Sequence, residues 1–171
     1  DILKVAIDMI REGGYNAFSF REIASTIGIK SASVHYHFPT KADLGAAVAV
    51  YYTEVFLESL GRVEDILKDN KDPIKVYVSA FKSALTEDKK ICLCGMLGAE
   101  IEGLPQKVAD KTRVFFERKI DWLVLAYSLR DGKKDARRKA LSTLSLLEGS
   151  MITSKVLGEI KVVDEAVKTL I

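Results

Sequence analysis

Apolar residues recur along this chain at spacings of three and four, which is the period of an α-helix and not of a strand. In the opening segment, one face carries Leu3, Ala6, Ile7 and Ile10. Two glycines at positions 13 and 14 then end the segment. No alternation of apolar and polar residues survives a count, so the pattern predicts an all-α protein with about nine helices.

The stretch SFREIASTIGIKSASVHYHF, residues 19–38, has the pattern of a helix, a tight turn and a second helix. Ser19 and Glu22 form a capping box before the first helix. Gly28 tolerates the positive φ that the turn requires, and the small Ala24 lies where the helices approach. Inward-facing positions are predicted for Ile23, Ile27, Ile29 and Val34. The stretch therefore predicts a helix-turn-helix motif.

Longer helices follow this motif. They are predicted over residues 41–61, 73–88, 106–130, 134–157 and 162 to the end. The change from short to long helices near residue 45 predicts two domains, 1–46 and 47–171. The chain already looks helical at Asp1, so we expect the natural N-terminus to lie upstream of it.

Three stretches, FSFREIASTIGI, VHYHF and PTKADL, make residues 2–47 similar to the DNA-binding domain of the tetracycline-repressor (TetR) family of transcription regulators. Ala32 stands where the family often has Gly, and His35 where it often has Tyr. The resemblance implies a helix-turn-helix DNA-binding domain over 1–46 and a ligand-binding and dimerisation domain over 47–171. It also implies a ligand-responsive regulator, usually a repressor that a small apolar or amphipathic effector releases from DNA.

The second helix of the motif is the predicted recognition helix, which would enter the major groove of double-stranded DNA. Arg21 precedes it and could bind a guanine edge through two hydrogen bonds. The other candidates for base edges are Lys30, Ser31, Ser33 and His35. The candidates for phosphate contacts are Tyr36, Thr40 and Lys41.

Both histidines and both cysteines of the chain suggest metal chemistry at first sight. Residues two apart on a helix point about 200° from each other, so His35 and His37 are not expected to share a metal. We expect partial burial for His37, whereas His35 is either a base contact or a plain solvated side chain. Cys92 and Cys94 lack further ligands nearby and are interpreted as buried thiols. A thiol sensor of oxidants or electrophiles is the alternative for them, and we predict neither a metal nor a cofactor.

Charge supports DNA binding only locally. The chain of 171 residues has a net charge of +2. Residues 1–50 carry five basic and five acidic side chains, whereas residues 19–41 carry three basic and one acidic, a net of +2. Tight binding would therefore need a basic arm upstream or a dimer that doubles the patch. An interaction module without DNA affinity remains an alternative.

The rest of the composition gives no sign of an enzyme or of a membrane span. No nucleophile, base and orienting group can be placed together, so we predict no enzymatic activity. The absence of a long apolar run predicts no membrane helix, and two cysteines one residue apart suit a reduced, cytoplasmic protein.

The larger domain has candidates for an effector pocket and for a dimer surface. Aromatic residues at helical spacings are core residues first, but the resemblance implies that some line a pocket. The pocket candidates are Phe56, Tyr77, Phe81, Met96, Phe115 and Trp122. The last two helices are apolar and carry small residues at close-approach spacings, namely Ser145, Gly149, Ser150 and Ser154. They predict a partner surface, and with the family resemblance this implies a homodimer on a near-palindromic operator, with packing inside one chain as the alternative.

Overall fold

The computed structural model describes residues 1–88 and 90–170, without the side chains of residues 84–88. These residues form ten α-helices and two 3-10 turns and contain no strand, which confirms the all-α prediction. The α-helices are α1 (Ile2–Gly13), α2 (Phe20–Ile27), α3 (Ser31–His37), α4 (Lys41–Leu60), α5 (Val63–Lys68), α6 (Pro73–Asp88), α7 (Leu93–Ala99), α8 (Gln106–Asp131), α9 (Ala136–Leu157) and α10 (Lys161–Val167). The 3-10 turns are Tyr15–Ala17 and Ile101–Gly103. The short helices α5 and α7 are the ones that the sequence pattern does not resolve.

Contacts between residues divide the chain into two compact units. The first unit consists of Asp1–Val55 and Leu93–Phe115, and the second of Phe56–Cys92 and Phe116–Ile171. The functional boundary after residue 46 stays a prediction. Among the described residues, no helix combines the length and the apolar character that a membrane crossing requires.

The turn between α2 and α3 has the predicted cap and glycine. The Ser19 hydroxyl accepts a hydrogen bond from the Glu22 N–H (3.2 Å) and donates one to the Glu22 carboxylate (2.7 Å). Gly28 has φ 72° and ψ 31°, in the left-handed region. Beyond it, the Ile29 N–H donates to the Ala24 carbonyl at 2.9 Å, as in a Schellman motif. Local sequence therefore fixes where α2 begins and ends.

Packing within the motif follows the prediction at all but one position. Ile23, Ala24 and Val34 are buried, and Ile27 is half-buried. The inward position predicted for Ile29 is wrong, because its side chain is 39% exposed. It directly follows the left-handed Gly28, where the chain reverses, and the reversal turns it outward.

Residues far along the chain brace the motif within the first unit. The backbone N–H of Tyr15 donates to Glu100 Oε2 at 2.7 Å. Gly45 must lack a side chain because a Cβ there would lie 2.7 Å from the Tyr15 ring. The three short N-terminal helices therefore do not stand alone, since α4 and the segment after α7 hold the turn that follows α1.

Candidate DNA-binding surface

Helix α3 buries one side chain and exposes most of its remaining surface. Val34 is fully buried and attaches the helix to the first unit. The exposed residues on α3 are Ala32, Ser33, His35, Tyr36 and His37. Tyr36 is 85% exposed, which is unusual for an aromatic side chain of a folded protein. A seven-residue helix with such a free face is suited to enter the major groove of DNA.

The predicted base-edge residues occupy the start of α3 and the start of α2. Lys30 is the N-cap residue of α3 and is exposed, and Ser31 at the first helical position is half-buried. Arg21 is the second residue of α2 and is also exposed. These side chains are accessible, and their assignment to particular bases stays a proposal.

The two histidines have different neighbours. The His35 ring lies against Phe20, with ring centroids 4.5 Å apart and a tilt of 64°. One side of His35 is thus anchored on α2 while the residue remains exposed. The predicted partial burial of His37 is wrong, because its side chain is exposed; its ring centroid lies 5.4 Å from that of Tyr36. Among the described residues, no group of three His, Cys, Asp or Glu side chains could hold a metal ion.

A capping box that the sequence analysis missed begins α4. The Thr40 hydroxyl accepts from the Asp43 N–H (3.1 Å) and donates to Asp43 Oδ2 (2.6 Å), while the Thr40 N–H donates to the same carboxylate (3.0 Å). Thr40, predicted as a phosphate contact, therefore also caps the helix. The sequence signal was present, since Thr-x-x-Asp has the spacing of a capping box.

The Asp43 carboxylate is neutralised by a residue 64 positions away. The Lys107 ammonium donates to Asp43 Oδ1 at 2.5 Å. Hydrogen bonds from Lys107 and from Thr40 lower the pKa of Asp43. The carboxylate stays ionised, and the adjacent positive charge reduces its repulsion of a phosphate near the start of α4. No local pattern reveals this pair.

Lys41 is held by aromatic rings. Its ammonium lies 4.5 Å from the centroid of Phe18 and 5.0 Å from that of Tyr15, both within the range of cation–π attraction. Burial lowers the pKa of Lys41, and the nearby carboxylates of Glu22 and Glu100 partly oppose that shift. The side chain is half-exposed, so it keeps access to solvent while its direction is fixed.

The six pocket candidates do not form one cluster within a single unit. Met96, which is half-buried, and Phe115, which is buried, belong to the first unit, where Phe115 contacts Tyr52 at a centroid distance of 5.9 Å. The other four belong to the second unit. There, Tyr77 lies 5.7 Å from Phe56 and 5.5 Å from Trp122 between ring centroids. Phe81 is buried in the same unit.

A buried ion pair lies beside three of these aromatic residues, Phe56, Tyr77 and Phe81. Lys119 on α8 is fully buried, and its ammonium donates to Glu148 Oε1 on α9 at 2.8 Å. Sequence analysis missed it, although a signal was present. Lys119 lies four residues after Phe115 and four before Leu123, both fully buried, so a charged residue occupies the apolar face of the helix.

Both cysteines are buried, as predicted by their interpretation as buried thiols. Cys92 is 4% exposed and Cys94 is fully buried. The backbone N–H of Cys92 donates to the sulfur of Met151 at 3.0 Å. Because thiol reactivity requires access, these positions favour packing over sensing.

Helix α9 exposes a row of large apolar side chains. Val156 is 79% exposed. The other exposed apolar residues of α9 are Leu141, Ile152 and Leu157. Of the predicted small residues, Ser145 and Gly149 are exposed, whereas Ser150 and Ser154 are buried within the second unit. The exposed row, Ser145 and Gly149 are available to a second chain, and the two buried serines serve packing inside this one.

Comparison with known proteins identifies the family. Residues 2–48 match the family model described as bacterial regulatory proteins of the tetR family. A TetR transcriptional regulator from Legionella pneumophila is 33% identical, with 96% of this chain and 90% of that one covered and a TM-score of 0.87. A TetR-family regulator from Agrobacterium tumefaciens is 26% identical, with coverages of 99% and 93% and a TM-score of 0.86.

One curated relative adds a named regulator. The HTH-type transcriptional repressor KstR2 of Mycolicibacterium smegmatis is 26% identical over 137 residues, which are 77% of this chain. This chain spans 65% of the length of that repressor. The motif, the helical architecture and the Legionella protein agree, and the chain belongs to the TetR family of bacterial transcriptional regulators.

Proposed function

We propose that this protein is a ligand-responsive DNA-binding transcriptional repressor that acts as a homodimer. The observation that carries the proposal is the exposed face of α3, which one buried residue, Val34, attaches to the motif. The repressor from M. smegmatis supports the sign of regulation. The effector is a small apolar or amphipathic molecule, and the aromatic residues of the larger domain are its candidate contacts.

On this proposal, side chains of three kinds contact DNA. Arg21, Lys30 and Ser33 read base edges, and His35, with one side anchored on Phe20, presents its other side to the groove. Tyr36 contacts phosphate, and the first backbone amides of α4 add to this contact. Thr40 and Lys41 contact phosphate near the start of α4 in addition to making the cap and ring contacts of the motif, and Ser31, which is half-buried, lies at the edge of the base contacts.

Charge and the exposed row on α9 support dimerisation. A net charge of +2 over residues 19–41 is small for one DNA-binding face. A two-fold dimer doubles it and presents two recognition helices to successive major grooves, about 34–36 Å apart or somewhat more. Burial of Ile152, Val156 and Leu157 against a second chain gives those exposed apolar residues a partner.

Release by an effector uses α4 as the connecting element. This helix is continuous over twenty residues. It begins at the DNA contacts, and its last five residues, 56–60, belong to the second unit. A shift of its end on effector binding would change the separation of the two recognition helices. By reciprocity, operator DNA would weaken effector binding by the same factor, about 5–150 for a coupling of 1–3 kcal/mol.

The proposal is tested by selecting duplexes from a random library with the purified protein and measuring binding over a range of salt. We expect enriched near-palindromic sites and a steep fall of affinity with salt, with random DNA bound far more weakly. A protein that enriches no sequence, or that binds every duplex alike, would contradict the proposal and favour an interaction module. Alkylation of the folded protein is the companion measurement for Cys92 and Cys94, and we expect both to be protected.

A further inference from the structure

The second unit contains a charged group where packing alone favours an apolar one. Lys119 is fully buried, and the ring centroids of Phe56, Phe81 and Tyr77 lie 5.1, 5.2 and 5.8 Å from its ammonium. Its partner Glu148 keeps 13% of its side chain exposed. Buried ion pairs are often no more stabilising than the apolar residues that could replace them. A role beyond packing is therefore the better explanation for the pair.

Tyr77 supplies a second, independent observation. Its side chain is fully buried, and its hydroxyl makes no hydrogen bond of ordinary length and angle among the described residues. Burial raises the pKa of Tyr77, although the Lys119 ammonium lies close enough to oppose that rise in part. Buried hydroxyl groups are nearly always paired, because an unpaired one destabilises the fold. Tyr127 in the same unit illustrates the rule, since its hydroxyl lies 2.7 Å from that of Thr143. The unpaired Tyr77 hydroxyl is a hydrogen-bonding group that a ligand can satisfy.

We propose that Lys119 and Tyr77 anchor the carboxylate of an amphipathic effector, whose apolar chain packs on the surrounding rings. The inference rests on the proposed function and specifies the class of effector as a monocarboxylate with an apolar body. The incoming carboxylate takes the place of Glu148 at the Lys119 ammonium, and the Tyr77 hydroxyl donates to it. Because Glu148 already reaches solvent, its side chain needs only a small movement to become hydrated.

Charge balance distinguishes a carboxylate from other ligands at this position. Exchange of one carboxylate for another leaves the Lys119 ammonium beside a negative charge. A neutral ligand that displaced Glu148 would leave the buried ammonium without one. Burial lowers the pKa of Lys119, but its interactions with Tyr77 and Glu148 outweigh that effect and the pKa ends above its ordinary value. Burial raises the pKa of Tyr77, so its hydroxyl stays a neutral donor. Both groups thus hold the protons that a carboxylate requires.

The experiment measures ligand binding by the DNA-free protein, by calorimetry and by thermal shift. The probes are straight-chain carboxylates of about 6 to 16 carbons and the primary alcohols of the same lengths. We expect at least one carboxylate to bind about tenfold more tightly than its alcohol, the size of one hydrogen bond to a charged group. Carboxylates that all fail to bind, or that bind no better than the alcohols, would overturn the proposal.

Tyr77→Phe separates a ligand contact from a structural role. Removal of an unpaired buried hydroxyl should leave the thermal midpoint unchanged or higher. We expect this variant to lose about tenfold in carboxylate affinity, with its alcohol affinity unchanged. The matched control is Tyr127→Phe, which removes a paired hydroxyl and should lower the thermal midpoint without changing the preference for carboxylates. Equal carboxylate affinities for Tyr77→Phe and the wild type would contradict the assignment.

Glu148→Gln tests the exchange at Lys119. The amide keeps an oxygen acceptor but lacks the charge that competes with the ligand, so carboxylate affinity should rise. A fall would contradict the displacement of Glu148 by the ligand. The DNA-selection experiment is independent of these measurements. If DNA selection succeeds while every carboxylate fails, only the inference about the effector is lost. Carboxylate binding without DNA selection would instead contradict the proposed function.

Discussion

Two regions of the molecule differ in how far apart their parts lie in the sequence: the helix-turn-helix motif and the Lys119 cluster. The Lys119 cluster consists of the Lys119–Glu148 ion pair and the rings of Phe56, Tyr77 and Phe81. The capping box, the turn glycine and the exposed helix α3 all fall within residues 19–38. The Lys119 cluster combines side chains from α4, α6, α8 and α9, and its ion pair joins residues 29 positions apart. The motif is a surface built from short-range hydrogen bonds and turn geometry. The cluster is an interior built from tertiary contacts between helices that are distant in the sequence.

The largest expected effect tests the burial of the ion pair. Glu148→Ala removes the carboxylate at Lys119 and should lower the free energy of unfolding by about 3–5 kcal/mol, because a buried ammonium loses its counter-charge. Urea denaturation measures the change. Glu165→Ala is the control, since it removes an exposed pair with Lys168 and should have a much smaller effect. Similar losses of unfolding free energy for the two variants would show that the Glu148 carboxylate does not stabilise the buried Lys119 ammonium.

The next prediction concerns the exposed row on α9. This row is a surface of the second unit, whereas the exposed face of α3 is a surface of the first. Ile152→Arg should weaken dimerisation by about 2 kcal/mol, roughly thirtyfold in the dissociation constant, through a charge buried at the interface. Sedimentation at several concentrations measures the constant. Ser79→Arg adds the same charge at an exposed position of α6 and should leave the dimer intact. A wild type that stays monomeric at micromolar concentration would exclude this role for α9.

Arg21 tests whether the motif reads bases as well as phosphates. Arg21→Ala should reduce the affinity for the selected site by about 1–3 kcal/mol and relax the preference at one base pair. Repeating the DNA selection with the variant identifies that base pair. The expected effect on random duplexes is small. Equal losses on selected and random DNA would assign Arg21 to the phosphate backbone instead.

Local features of the motif could be predicted because short-range hydrogen bonds determine them. Ser19, Glu22 and Gly28 fix the ends of α2 through partners within five residues. The predictions of an inward-facing Ile29 and a partly buried His37 are wrong for the same reason. Both extend helical periodicity through a turn or to a helix end, where the geometry of a regular helix no longer holds. Exposure at such positions depends on the direction of the chain after the break.

Long-range contacts could not be predicted from one sequence. Nothing local relates Glu100 to the Tyr15 N–H, or Lys107 to Asp43, although both pairs brace the motif. The aromatic residues around Lys119 were recognised as core or pocket candidates, but which of them meet depends on how four helices pack. The position of Lys119 between Phe115 and Leu123 was the one readable sign of a buried charge.

The smallest expected effect compares two lysines of the motif that differ in what holds them. Lys30 is exposed at the N-cap of α3, whereas Lys41 lies over the rings of Phe18 and Tyr15. Lys30→Met and Lys41→Met should each reduce the salt dependence of DNA binding by about one unit of slope, because each removes one positive charge from the DNA-contacting surface. Only Lys41→Met should also lower the free energy of unfolding, by about 0.5–1 kcal/mol, through loss of the cation–π contacts. Salt titrations and urea denaturation on the same variants measure both quantities. An unchanged slope for Lys41→Met would mean that its ammonium serves the folded motif alone, and that the phosphate contact near α4 comes from Tyr36 and the helix amides.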